Sequence, residues 1–333
     1  MAMVTCAGRS GANAVGVFAR ELCEKYPAAP SVQLARMLRK RHPLLFHSVE
    51  QARLAVRYYR GSHGEYNRRH VKDVVERLEI PLAEETPFRV VELPRDVNRW
   101  LVVADLHCRY HDAVAVAAAL EWGCGAKCDG VLILGDFLDF YRLSRFNKIP
   151  TASTLREEVE CAGKILDAMV KHLNPKRIVY KGGNHENRLT PYLCENAPEL
   201  YDLTTQVAVE RAEKELRKRR CQWVPPTQIL RHHALGILHG DEFGSGAWAP
   251  VSPARTSFLR ATECALVGHW HRTSEFTQST LSGETITTWS VGCLCNLHPQ
   301  YRPLNNWNHG LALLETKGEW RVTNKRIVNG EVL

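Results

Sequence analysis

The sequence predicts an α/β domain preceded by a small all-α domain. Three observations carry that expectation. From Asn98 onward short apolar runs alternate with helical stretches, as strands joined by helical crossovers do. Before residue 70 the apolar residues recur at helical spacing. Between the two, residues 71–97 read as an extended linker, with Pro81, Pro87, Pro94 and the pair Glu84-Glu85 following a short helix expected at Lys72 to Ile80. The domains are therefore placed at 1–70 and 98–333. A chain of 333 residues, 44% apolar and 24% charged, has the composition of a globular protein and the length of one large domain with an appendage.

Within the first domain, Asn13 to Tyr26 is expected as a helix with Val17, Phe18 and Leu22 on one stripe, stopped by Pro27. Ser31 is expected to cap a second helix running to about Arg41, with Val32, Leu34, Ala35 and Leu38 facing inward and His42-Pro43 ending it. Ser48 and Gln51 fit a capping box opening a third helix through Tyr59, terminated by Gly61. Arg39, Lys40, Arg41, Arg53, Arg57 and Arg60 are expected on the outside. Three readings fit this segment: a helix-turn-helix, the solvated face of a small bundle, or a surface for a protein partner. Residues 1–70 hold twelve basic and four acidic side chains, so the whole net charge of +8 resides there. Such a footprint suits the phosphate backbone of nucleic acid.

The strands of the second domain are expected at Leu101–Ala104, Val131–Leu134, Ile178–Tyr180, Leu235–Leu238 and Ala265–Val267. Each is followed within a few residues by polar groups able to bind a cation. The first ends in Asp105-Leu-His107, the second in Gly135-Asp136-Phe-Leu-Asp139, and the third in Gly183-Asn184-His185-Glu186. The fourth ends in His239-Gly-Asp241 and the fifth in Gly268-His269-Trp-His271. Separations of 31, 48, 55 and 30 residues between Asp105, Asp136, Asn184, His239 and His269 leave room for a crossover in each gap. Open α/β sheets bind ligands just beyond the carboxyl ends of their strands, so these groups are expected on one rim.

Imidazole, carboxylate and amide oxygen without thiolate suit Mn, Fe or Zn. The set matches what a two-metal hydrolytic site requires. A strand-end carboxylate bridges cations about 3.5–4 Å apart, and the metals lower the pKa of a shared water and hold phosphoester oxygens. Asp136 is the natural bridge, because Gly135 before it permits close backbone approach. An imidazole off the metals can protonate the leaving alkoxide. His185 fits that role, oriented by Asp139.

Asp-x-His, Gly-Asp-x-x-Asp, Gly-Asn-His-Glu, a lone His-Gly and Gly-His-x-His, in that order, resemble the calcineurin-like metallophosphoesterase superfamily over about residues 99–291. The resemblance implies a four-layer α/β sandwich with two mixed β-sheets and a bimetal centre on one edge. One metal would take Asp105, His107, Asp136 and His271, and the other Asp136, Asn184, His239 and His269. His185 would be the general acid, supported by Asp139. Two departures bear on substrate. The Arg that follows the second-motif Asp in the superfamily's protein phosphatases is replaced by Phe140-Tyr141, and Cys108 stands where they have Gly. Gly-Asp-Phe-Leu-Asp looks closer to the repair nucleases, although Glu186 is a phosphatase-like trait. The basic helical segment and Gly-Asn-His-Glu-Asn-Arg also look like metallophosphoesterases of phage genomes.

These readings lead to a phosphodiesterase, foremost a Mn-dependent DNA nuclease, with nucleic acid bound by residues 1–70. A phosphomonoesterase or nucleotide phosphodiesterase is one alternative, and a DNA-binding protein with a vestigial enzyme domain another. No apolar run approaches the roughly 18–20 residues of a membrane span. The first residues lack a basic-then-apolar export pattern, and the 11 cysteines are scattered, so reduced thiols in a cytoplasmic protein are expected. Arg188 is read either as a bidentate phosphate clamp or as a helix-start ion pair. Lys214 to Arg220 is expected as a solvated helix face rather than a nucleic-acid groove. Cys124, Cys128, Cys293 and Cys295 would make a four-thiolate zinc site only by unusual spacing, and buried free thiols are the expectation. His232-His233 are expected to pack or face solvent. Tyr301, Trp307 and His309 are read as packing under a C-terminal hairpin, with base stacking as the alternative.

Overall fold

The computed structural model describes residues 11–61, 78, 89–145, 153–244, 251–300 and 302–333. The chain divides into two compact units between Thr86 and Pro87. In the first unit lie α1 (Gly11–Lys25), α2 (Ser31–Arg41) and α3 (Val49–Arg60). Leu22, Leu34, Leu38, Phe46, Val56 and Tyr59 form their shared core.

Several local expectations change here. Val17 of α1 is exposed, and so is Val32, because Leu34, Ala35 and Leu38 set the buried stripe of α2 and Val32 falls well round the helix from it. Ser31 is already helical, and Pro30 stands at the cap without a side-chain bond. Ser48 does cap α3, accepting from Gln51 N, but the Gln51 side chain reaches one residue further back, to His47 N. Arg60 is turned inward and donates to the carbonyls of Cys23, Tyr26, Pro27 and Ala29, which have no helical donors at the end of α1. The connection over 42–48 is longer than the three or four residues of a helix-turn-helix and carries the buried Phe46.

The second unit holds two mixed sheets. In the seven-stranded sheet, β2 (Arg99–Val103), β3 (Gly130–Leu134), β4 (Arg177–Lys181) and β5 (Cys221–Val224) run parallel. Antiparallel β11 (Gly310–Glu315), β12 (Arg321–Val328) and β13 (Glu331–Val332) extend it beyond β2. The six-stranded sheet orders β1 (Val90–Glu92), β6 (Ile229–His232), β7 (Leu235–Leu238), β8 (Ala265–Val267), β10 (Thr285–Ser290) and β9 (Ser274–Ser279). β1 corrects the linker reading of 71–97 in part: residues 90–92 pair in parallel with β6. The helix read at Lys72 to Ile80 lies outside the described residues, Leu78 excepted.

Alternation along the strands builds the layers. Leu101, Val103, Val131, Ile133 and Ile178 face α4 (Ala113–Gly125) and α5 (Leu155–Leu173). Trp100, Val102, Leu132, Leu134 and Val179 face Leu230, Ile237, Leu266 and Trp289 of the other sheet. Beyond that sheet, Leu238, Ala265 and Val267 pack with Ala261 of α8 (Pro253–Ala261). Helix, sheet, sheet, helix is a four-layer α/β sandwich, and burial on both faces is why the central strands read as unbroken apolar runs.

Two helices, α6 (Leu189–Asn196) and α7 (Tyr201–Lys218), connect β4 to β5. Arg217 pairs with Glu213, Lys218 with Glu215 and Arg219 with Asp167, the solvated face expected of this segment. Among the described residues no helix is long and apolar enough to cross a membrane.

Candidate metal centre

The five strand ends singled out in the sequence come from both sheets and interlock. His107 N donates to Asp136 O (2.9 Å), Gly268 N to His239 O (2.8 Å) and His269 N to Asp105 Oδ2 (2.9 Å). Their backbone is unusual. Asp105, His107, Asp136, His269 and His271 all have φ between 47° and 66°. A non-glycine residue in this region costs about 1 kcal/mol or more, so the five together hold about 5 kcal/mol of strain that the surroundings must offset. Gly135 (φ 83°) and Gly183 serve close approach: a Cβ would lie 2.3 Å from His239 Nδ1 at the first and 2.4 Å from Asp136 Oδ1 at the second.

Lone-pair atoms converge in two sets. Around His239 Nε2 stand Asp136 Oδ2 (3.3 Å), Asn184 Oδ1 (3.3 Å) and His269 Nδ1 (3.2 Å). His239 Nδ1 donates to Leu134 O (2.6 Å), which turns Nε2 toward the set. In the second set His107 Nε2 faces His271 Nε2 (3.2 Å), and His271 Nε2 faces Asp105 Oδ1 (3.3 Å). His107 Nε2 also lies 3.9 Å from Asp136 Oδ2, so Asp136 stands between the sets. All seven side chains read as ligands are thus brought together.

Acceptors facing acceptors at 3.2–3.3 Å repel unless a proton or cation lies between them. Donor atoms about 2.1 Å from a common cation sit about 3.0–3.4 Å apart, which these spacings match. Asp105 Oδ1 is buried with no hydrogen-bond partner among the described residues, and it points into the second set. The residues therefore fit two divalent cations sharing Asp136.

Electrostatics supports the same geometry. Burial opposes ionisation of Asp136, yet the imidazoles of His185, His239 and His107 hold its carboxyl well below the usual range. Burial likewise disfavours charge on His271, but the nearby Asp105 charge, with Cys293, raises it to about 10. His239 is raised by Asp136 and Asp105 against burial. His269 is lowered to about 4 by burial and by His239.

His185 lies beside these sets. Its Nε2 is 3.6 Å from Asp136 Oδ2, and its Nδ1 lies 2.9 Å from Asp139 O and 3.1 Å from Asp139 Oδ1. Asp139 Oδ1 is shared, accepting also from His107 Nδ1 (2.9 Å). Among the described residues Arg188 forms no ion pair at its helix start. Nη1 donates to Asp139 O (2.8 Å) and Nη2 lies 2.8 Å from His185 Nε2. Burial pulls the His185 pKa down and Arg188 adds to that, but Asp136 and Asp139 leave it above the ordinary value.

Supporting residues were not read from the sequence. Glu186 accepts from the backbone N–H of Asp136 (3.0 Å), Leu138 (2.9 Å) and Gly183 (2.7 Å) and from Tyr180 Oη (2.6 Å), clasping the turns after β3 and β4. The fully buried Lys181 pairs with Glu242 at 2.9 Å, and Glu242 accepts from His239 N (3.2 Å) and Gly240 N (2.7 Å). This pair ties β4 of one sheet to the end of β7 in the other. Buried Glu158 accepts from Phe140 N (2.6 Å), which holds the left-handed Phe140 after Asp139. Burial and the Asp139 charge push the Glu158 carboxyl up to about 7. The one available sequence signal was Lys181, a charge ending an apolar strand run that must find a partner.

The four cysteines do not form one site. Cys124 Sγ donates to His172 O, Cys128 is buried in the helix-side core, and Cys295 Sγ lies 3.6 Å from His271 Nδ1 with Cys293 beside it. His232 is buried and stacks edgewise on His233. Tyr301 lies outside the described residues. His309 Nε2 bonds Cys295 O, whereas Trp307 lies against His271 with ring centroids 4.2 Å apart, so it borders the centre rather than only packing beneath a hairpin.

No protein-family model matches the sequence, and no curated protein matches it. Solved structures similar to the chain include wild-type Vps29 complexed with zinc from Entamoeba histolytica (12% identity, 71% of this chain and 96% of that one, TM-score 0.37). YfcE, a phosphoesterase from E. coli, aligns at 13% identity over 71% and 96%, TM-score 0.36. A dimetal phosphatase from Danio rerio aligns at 12% over 71% and 98%, TM-score 0.35. Likeness at these values says nothing of activity.

Proposed function

We propose that the chain is a binuclear metal-dependent phosphoesterase that hydrolyses phosphodiester bonds, with DNA as its substrate. The observation that carries this reading is the convergence of two sets of lone-pair atoms on either side of one buried carboxylate, Asp136. Asp105, His107, Asp136 and His271 would hold one cation, and Asp136, Asn184, His239 and His269 the other. When bound, such a pair supplies an activated water near neutral pH and positive charge for the phosphoester oxygens. Donors of nitrogen and oxygen favour Mn²⁺, with Fe²⁺ and Zn²⁺ as alternatives.

The chain's own residues do the rest. His185 keeps Nδ1 on Asp139, so Nε2 is the atom that protonates the leaving oxygen. Arg188 keeps Nη1 on Asp139 O and turns Nη2 from His185 Nε2 to a substrate phosphate oxygen, which leaves His185 Nε2 to the leaving oxygen. Exposed Arg36, Lys40, Arg41 and Arg57 on α2 and α3 bind the DNA backbone. Buried thiols beside His271 belong in a reducing cytoplasm. The five motifs support a calcineurin-like metallophosphoesterase, and the basic helical unit beside them supports a phage-type member.

The test uses the purified full chain with Mn²⁺, Fe²⁺, Zn²⁺ or Mg²⁺. Mn²⁺ is expected to support cutting of DNA and of bis(p-nitrophenyl) phosphate, and Asp136→Ala to abolish both. Intact DNA with every metal would overturn the nuclease reading, and strong preference for p-nitrophenyl phosphate would replace it with a phosphomonoesterase.

A further inference from the structure

A cleft of about 460 Å³ adjoins the metal centre, lined by Trp270, Arg272, Arg302, Asn305, Asn306 and Trp307 among others. Its volume lies in the range of small-molecule sites. The segment that supplies His269 and His271 also supplies Trp270 and Arg272 to this cleft. Trp307 closes the connection, one indole sharing the cleft wall and a 4.2 Å ring contact with His271. Asn305 is built into the wall: Nδ2 donates to Leu297 O (2.6 Å) and Arg302 O (2.9 Å), and Oδ1 accepts from Trp307 N (2.9 Å). The Arg302 guanidinium lies over Trp307, 5.9 Å from the ring centroid.

Two indoles and two guanidiniums around one cavity are an uncommon lining for a plain phosphate site. Indole faces stack on planar bases, guanidiniums stack on bases or bind phosphate, and neither choice depends on base identity. Trp307 against His271 (4.2 Å between ring centroids) and Trp270 against His269 (4.9 Å) set the cleft beside the cation site, as a base lies beside its phosphate in a nucleotide.

We propose that this cleft seats the nucleobase of the substrate, which makes nucleoside phosphodiesters the substrate class of the adjoining metal centre. The inference rests on the phosphoesterase reading above. Trp307 and Arg302 are the specificity-determining residues, the first as stacking platform and the second as the cation closing over the base.

The experiment compares two chromogenic diesters with the same leaving group, bis(p-nitrophenyl) phosphate and the p-nitrophenyl ester of thymidine 5′-monophosphate. The nucleotide ester is expected to show a KM lower by about tenfold, the scale of one stacked base, and Trp307→Leu and Arg302→Gln each to shrink that ratio toward one. A readout independent of turnover is tryptophan emission of the metal-free chain. Thymidine 5′-monophosphate is expected to quench it where inorganic phosphate does not, with a weaker titration in Arg302→Gln. Turnover of the bis ester with a KM ratio unchanged in both variants and no nucleotide quench would overturn the cleft inference alone. Failure of every ester with every metal would overturn the phosphoesterase reading, and quenching would then still report on the cleft.

Discussion

Replacing Glu186 by Gln keeps the shape of the side chain and removes its charge. The carboxylate accepts four hydrogen bonds, two at each oxygen: Asp136 N and Gly183 N at Oε2, Leu138 N and Tyr180 Oη at Oε1. A glutamine offers one acceptor oxygen. Its least costly orientation turns the amide nitrogen toward Leu138 N and Tyr180, because the tyrosine hydroxyl can rotate and accept. One backbone N–H is then unpaired, costing about 1–3 kcal/mol, and the two bonds kept at the other oxygen lose charge assistance at about 1 kcal/mol each. The sum is about 3–5 kcal/mol, and at about 2–4 °C per kcal/mol the thermal midpoint of the α/β unit falls by about 10 °C. The assay is a thermal melt of metal-free protein paired with a Mn²⁺ titration, because the same bonds hold the turn that carries Asp136. Glu186→Ala removes all four bonds and is expected to go further in both. A midpoint within about 2 °C of the parent and unaltered metal affinity in both variants would refute the clasp.

Gly183→Ala drives a methyl into Asp136 Oδ1, so it is expected to lower metal affinity and to reduce turnover by about 100-fold, the scale of a 1 Å displacement at a reacting centre; an active, metal-replete variant contradicts this. Lys181→Met leaves Glu242 buried without its cation and is expected to cost about 3 kcal/mol in denaturant melts, with Glu242→Gln in the same chain restoring part of it. His271 is raised to about 10 in the metal-free protein, so its stabilising interaction with Asp105 is complete below about pH 6.5 and is lost as pH rises toward 10; metal-free protein should weaken over that window. By the same linkage Mn²⁺ displaces protons from His271 and His239, which titration calorimetry in buffers of different ionisation enthalpy will register at pH 7, whereas buffer-independent heats would contradict it. If these side chains bind DNA, changing Arg36, Lys40, Arg41 and Arg57 to Ala is expected to lower the salt slope of binding by about 3.6, and an unchanged slope removes them from any DNA contact.

The five strand ends were legible because two local signals coincide there: an apolar run long enough for a buried strand, and a polar side chain just past its carboxyl end. Asp105, Asp136, Asn184, His239 and His269 all stand out on that ground. What holds them was far less visible. Glu186 sits within a motif, but its role depends on three backbone donors, two of them 50 and 48 residues away in sequence. The pairing of Lys181 with Glu242 crosses from one sheet to the other, and no periodicity in the chain encodes which carboxylate a buried lysine meets. The left-handed backbone at five ligand positions is equally hidden, since Asp and His at a strand end read the same in extended conformation. Arg60 shows the same limit in the helical unit: its spacing put it outside, while the carbonyls of Tyr26 and Pro27, just past the end of α1, drew it inward. Trp307 was read as packing because its contact is with His271, 36 residues earlier in the chain.

The spin state of the Mn²⁺-loaded full chain goes furthest toward deciding whether Asp136 joins two cations. Metal analysis is expected to return two ions per chain, with a multiline electron paramagnetic resonance spectrum from an exchange-coupled pair that collapses to an uncoupled signal in Asp136→Ala. A single ion per chain, or a six-line spectrum of isolated Mn²⁺ in the parent protein, would contradict the shared carboxylate.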